Sequence, residues 1–86
     1  MYQYQPLEEK TPFYWVNKGL WVYSFYYRHS LDFMDVGSSY ITTQRTMCML
    51  TTNVKLFRGE KYIEIIIDGQ LKWVEFNGFE QRSFPI

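Results

Sequence analysis

Residues 62–79 read Tyr-Ile-Glu-Ile-Ile-Ile-Asp-Gly-Gln-Leu-Lys-Trp-Val-Glu-Phe-Asn-Gly-Phe. Asp68-Gly69 and Asn77-Gly78 are each flanked by β-branched and aromatic residues, the pattern of two-residue type I′ turns. The stretch therefore predicts three antiparallel strands. Two-residue turns set Ile67 opposite Gln70 and Phe76 opposite Phe79. They also fix the faces, because successive side chains along a strand point to opposite sides. One face gathers Ile63, Ile65, Ile67, Val74, Phe76 and Phe79, with Lys61, Lys72 and Gln81 around them, and is assigned to the core. The other carries Glu64 with Trp73 and Arg82, then Tyr62 with Glu75 and Glu80. Its third row, Ile66, Leu71 and Phe84, is apolar and needs a cover.

Upstream, Phe13 to Val16 and Leu20 to Tyr27 flank Asn17-Lys18-Gly19, which reads as a hairpin with a three-residue loop and Gly at the positive-φ position. Trp21, Tyr23, Phe25 and Tyr27 point one way, and Leu20, Val22 and Tyr26 the other. A strand apolar on both faces does not suit a sheet with one solvated side. Either a barrel covers it or a partner does. Ser39 to Leu50 is β-prone, and Val54 to Phe57 is a further short strand. No helix is predicted, since the one candidate, Pro6 to Lys10, is too short to stand alone and is bounded by Pro12. The expected fold is all-β: one domain over 1–86, with 1–11 as an extended arm. Its architecture is a small antiparallel barrel or sandwich of about six strands, ending in a three-stranded meander.

The run from Gly59 to Phe79 has a Gly, a β stretch, Trp73 opening a strand and then Asn77-Gly78. It resembles the end of a bacterial SH3-type barrel. The resemblance covers about a quarter of the chain and implies an SH3-like fold, not a function, because unrelated activities share such barrels.

A chain of 86 residues supports one modest core. Aromatics are 21% of it and alanine is absent, so large rings must fill that core. Nine Lys and Arg balance nine Asp and Glu. That balance removes the field that would draw the protein onto long nucleic acid or an anionic membrane. Cys48 is the only cysteine, which excludes an internal disulfide or a cysteine-built zinc site and fits a reducing compartment. No signal peptide or membrane span is legible, so a soluble, unprocessed, cytoplasmic protein is expected.

His29 with Asp32 and Asp35 is the one place to ask about a metal or acid–base pair, but Arg28 to Asp32 reads more simply as a polar connection between strands. Ser38 or Ser39 with His29 and Asp32 lacks any strained elbow or oxyanion hole around the serine. Cys48, between two methionines with no adjacent cation, reads as a buried inert thiol. No catalytic residue, metal ligand or cofactor is assigned.

The surplus of rings points instead to binding, since Tyr and Trp concentrate at interfaces and soluble monomers seldom leave large apolar patches bare. The expected interface residues are Trp21, Tyr23, Phe25, Tyr27, Ile66, Leu71, Trp73, Arg82 and Phe84. Arg82 is placed for a cation–π contact with Trp73. The partner expected is a protein, and self-association is expected too. An inhibitor of a host protein, phage-encoded and acting in the host cytoplasm, would suit this composition. The alternative is a nucleotide-sequestering protein, in which rings stack a base and Arg28, Arg45 or Arg82 pairs with phosphate.

Overall fold

Asp68 and Gly69 take φ values of 54° and 75°, and Ile67 stands opposite Gln70, so the turn that anchors the sequence reading forms as expected. The computed structural model describes residues 12–28 and 33–86, with side chains other than those of 26–28 and 33–38. The strands are β1 (Phe13–Val16), β2 (Trp21–Arg28), β3 (Phe33–Ile41), β4 (Thr46–Phe57), β5 (Glu60–Ile67), β6 (Gln70–Glu75) and β7 (Ser83–Pro85). One helix, α1 (Phe76–Arg82), lies between β6 and β7. The strands form one sheet in the order β3-β2-β6-β5-β4-β1-β7, curled into a half-barrel. The expectation of a small all-β domain of barrel type holds, while Asn77-Gly78, one of the features behind the SH3-type resemblance, lies inside the helix.

The centre of the sheet is the meander β4-β5-β6. Ile63 pairs with Val74, Ile65 with Lys72 and Leu50 with Ile65, so the inward face is the one read from the sequence. Ile65, Ile67, Val16, Val22 and Val74 are fully buried, with Leu20, Cys48 and Phe79 beside them. Each such side chain contributes roughly 1.5–3 kcal/mol on leaving water. Lys72 also faces inward, and its Nζ donates to Ser24 Oγ at 2.6 Å, giving the ammonium a partner across to β2. A second two-residue turn joins β4 to β5, with Arg58 at φ 54° and Gly59 at 83°. Residues 39–50 and 54–57 divide differently from expectation. The break falls at 42–45, and β4 runs unbroken to Phe57 through a bulge between Leu50 and Val54, which bends the strand and helps curl the sheet.

Two expectations are corrected. Asn77-Gly78 is not a turn. It lies inside α1, so the third strand of the predicted meander is replaced by a helix, and β7 pairs with β1 instead. Phe76 and Phe79, three apart, reach the core from one side of this helix. Gly78 is packed against Leu20, whose Cδ1 lies 3.4 Å from where a Cβ would stand. The helix ends with Ser83 Oγ donating to Phe79 O at 2.5 Å and Asn17 N–H donating to Arg82 O at 2.7 Å, which satisfies carbonyls the last turn leaves unpaired.

The hairpin expected at 13–27 does not pair either. β1 lies between β4 and β7, while β2 lies between β3 and β6. Gly19 does take a positive φ, 99°, but the two strands part at the turn to serve opposite ends of the sheet. Buried Thr42 ties the turn down: its Oγ1 accepts from Leu20 N–H at 2.9 Å and donates to Asn17 O at 3.0 Å. Its backbone adds Thr42 N–H to Leu20 O and Gly19 N–H to Thr42 O, both 2.8 Å. The extended arm and the helix candidate within 1–11, together with His29, Asp32 and the 29–32 connection, lie outside the described residues.

Candidate functional site

Strand register puts a second apolar layer on the outside of the curl. Phe84 stands opposite Trp15, and Trp15 opposite Met47. In the next row Phe13 faces Met49, Met49 faces Ile66, and Ile66 faces Leu71. None of these seven residues is charged, and Leu71 is 61% exposed and Met47 50%. The Ile66–Leu71 pair is as read from the sequence. Phe84 is not its third member. It lies on the edge strand β7, because β7 joins β1 and not β6.

Toward the β4–β5 turn the outer face becomes aromatic. Tyr23 and Phe25 of β2, Phe57 of β4, Tyr62 of β5 and Trp73 of β6 are all half-buried and touch through their rings. Tyr23 and Phe25 stack with centroids 5.9 Å apart and planes 4° from parallel. Tyr62 meets both edge-on, at 5.7 Å from Tyr23 and 5.0 Å from Phe25. Phe57 closes on Phe25 at 5.0 Å, and Trp73 lies 6.3 Å from Phe25. These are the offset and edge-to-face geometries that ring quadrupoles favour. Among the described residues β2 meets β6 in register only at Tyr23 and Trp73, so the rings, with the Lys72–Ser24 hydrogen bond, carry much of the contact between the β2–β3 hairpin and the meander.

Charged groups rim this cluster. Glu64, opposite Trp73 as expected, is buried and hydrogen-bonded, accepting from Asn53 Nδ2 at 2.7 Å and Thr51 Oγ1 at 3.1 Å. Glu75, opposite Tyr62, shares a hydrogen bond with Glu60, and that contact is the main reason its carboxyl titrates above the ordinary value. Burial raises the Tyr62 phenol, with Tyr23, Glu75 and Glu60 adding to the shift and Arg58 opposing it. The Arg58 guanidinium sits over Phe57, 5.0 Å from the ring centre.

Of the residues expected to bind, Tyr23, Phe25 and Trp73 come together. Trp21 stays apart, half-exposed and opposite Ile41. Arg82 does not reach Trp73. It ends the helix, with Nη1 donating to Gln81 Oε1 at 3.5 Å and Nε against Gly19. The expected framing of Trp73 by Glu64 and Arg82 is thus half right, since the strand meant to carry Arg82 is a helix. Tyr27, Arg28, Asp35 and Ser38 belong to strands, and their side chains lie outside the described residues.

Arg45 lines a separate cavity of about 370 Å³ with Tyr40, Thr42, Gln44, Thr46 and Asp68 among its walls. Its guanidinium leans on Phe84 at 5.3 Å and its Nε donates to Asn17 Oδ1 at 3.3 Å. Cys48 is buried, and burial pushes its thiol up to about 12, as befits an inert core residue. Phe57 and Tyr62 were not read as binding residues. Tyr62 did stand on the outward face, and Phe57 precedes a turn without the Asn or Asp that would have announced it.

Among the described residues no three His, Cys, Asp or Glu side chains group as metal ligands, and no helix is long and apolar enough to cross a membrane. No protein-family model, curated protein or solved structure matches the chain.

Proposed function

We propose that this chain is a non-enzymatic binding module that occupies the surface of another protein, as an inhibitor does, through the outer face of its sheet. A single observation carries the reading. From β7 to β2 the outward face is largely apolar or aromatic, interrupted beside the rings by Glu60, Glu64, Glu75 and Lys55, in a protein that already has an inward core of its own. A face this size on a soluble domain is the ordinary mark of an interface. Self-association through the Met49, Ile66 and Leu71 row is part of the same proposal.

Light scattering of the wild type, Leu71→Glu and Phe25→Glu tests it, together with capture of partners from extracts of the source cells. The expected result is a discrete oligomer or a specifically captured protein, lost in one or both variants while β-sheet circular dichroism is kept. A monomeric wild type that captures nothing, or variants that bind as well as it does, would overturn the proposal.

The small-ligand alternative has one feature in its favour, the cavity beside Arg45. Its rings and its cation are poorly matched, because Tyr40 alone supplies an aromatic wall and Asp68 stands with Arg45. A thermal scan with nucleotides near 1 mM discriminates, since a ligand of the native state raises the melting temperature by mass action.

A further inference from the structure

The outer face has two chemically different halves, and only one carries a charge pattern that selects a partner. The charged groups facing the aromatic half are Glu60, Glu64 and Glu75 against Arg58 and Lys55, the last opposite Tyr62 in register. Glu64 is already held by Asn53 and Thr51. Register sets Glu60 opposite Phe57 and Glu75 opposite Tyr62, so both carboxyl groups stand beside the half-buried rings and close to each other. Such a pair is unfavourable in the free protein and is relieved when a cation arrives. Ring faces attract the same cation through their quadrupoles. Arg58 over Phe57 is a guanidinium on this surface supplied by the chain itself.

We propose that the Tyr23, Phe25, Phe57, Tyr62 and Trp73 face docks an arginine-bearing segment of a protein partner, its guanidinium lying against the rings beside Glu60 and Glu75. This rests on the interface reading above and deepens it. Arginine is favoured over lysine because a planar guanidinium stacks on rings and its forked donors can serve two carboxylates at once. A phosphate-bearing ligand is disfavoured at the same spot, since both carboxylates would repel it. The other half, from Phe84 to Leu71, has Arg45 over Phe84 and no carboxylate among its seven apolar residues, so it offers no such selection.

The test is NMR titration of the isotope-labelled full chain with an N-acetylated, C-amidated Gly-Arg-Gly-Arg-Gly-Arg peptide. Its citrulline counterpart, which keeps the shape and loses the charge, serves as the control. The expected result is saturable shifts of the Trp73 indole N–H and of the amides of Tyr23, Phe25 and Tyr62. Binding should be at least tenfold weaker for the citrulline peptide and for Glu60→Gln/Glu75→Gln. That double variant removes a like-charge contact, so it should melt no lower than the wild type. Equal binding of the two peptides, shifts scattered over the surface, or no saturable shift would overturn the assignment. If the arginine peptide fails while Phe25→Glu still abolishes capture or oligomerisation, the interface reading stands and only the arginine partner falls.

Discussion

Ile65 and Leu71 are apolar residues on neighbouring strands, and the register places them on opposite faces of one sheet. Ile65 is fully buried, paired with Leu50 on one side and Lys72 on the other. Leu71 is 61% exposed, opposite Ile66. Truncating Ile65 to Ala deletes buried carbons and leaves a cavity, at a cost of about 2–5 kcal/mol. A domain of 86 residues has only about 4–13 kcal/mol in total. The melting temperature of Ile65→Ala should therefore fall by at least about 8 °C, at roughly 4–8 °C per kcal/mol for this size. Leu71→Ala should stay within about 0.5 kcal/mol of wild type when measured dilute. Urea unfolding at several protein concentrations is the assay. It adds a second reading, because a Leu71→Ala loss that grows with protein concentration reports self-association through the outer face. Equal losses for the two variants at the lowest concentration would refute the division of the sheet into a core face and a binding face.

Thr42→Val keeps the shape but strands Leu20 N–H and Asn17 O in a buried turn, so a loss of about 1–3 kcal/mol is expected by urea unfolding, and a loss under 0.5 kcal/mol would show the tie to be incidental. Phe79→Ala should cost about 3–5 kcal/mol in the same assay, and a loss under about 1 kcal/mol would place Phe79 outside the core. Cys48, with its thiol near 12, should react with iodoacetamide at pH 8 only as fast as the protein unfolds, and labelling at the free-thiol rate would place it outside the core. Glu75 titrates above its unfolded value of 4.5, so the folded chain holds the extra proton between the two values. The stability this group contributes is greatest below about 4.5, falls as pH rises through its folded pKa, and is level beyond. Glu75→Gln should thus gain on the wild type in thermal melts as pH rises above about 4.5, by an amount that solvent screening keeps small, and an advantage that shrinks with rising pH would contradict the contact with Glu60.

The features legible in the sequence are those decided within a few residues. Asp68-Gly69 specifies its turn because Asp tolerates the left-handed region and Gly prefers it, and the hairpin then sorts Ile63, Ile65 and Ile67 from Tyr62, Glu64 and Ile66 with no outside help. Asn77-Gly78 carries the same signature and does something else. There the burial of Phe76 and Phe79 and the space beside Leu20 outweigh a local preference worth about 1 kcal/mol. Asn17-Lys18-Gly19 turns as its Gly suggests, yet the partners of β1 lie about 35 and 70 residues downstream, and no local pattern encodes them. Part of the candidate site was legible for the same reason. Trp73 and Glu64 follow from the Asp68-Gly69 hairpin, and Phe57 meets Tyr62 across the β4–β5 turn, whereas Phe25 comes to them from β2, on the far side of β6. Arg82 was placed by a strand that does not exist, and its pairing with Trp73 went with it.

The single register pair between β2 and β6 makes the aromatic cluster a clasp as well as a surface. Opening that seam would part Tyr23 and Phe25 from Phe57, Tyr62 and Trp73 while the β4-β5-β6 meander kept its own pairings. The amides of β2 and β3 should then exchange with solvent through a smaller opening than those of β5. Any molecule that lies across the five rings spans the seam. Binding there would slow exchange throughout the β2–β3 hairpin, including at residues it never touches, and occupancy of the face could be read from the far edge of the sheet.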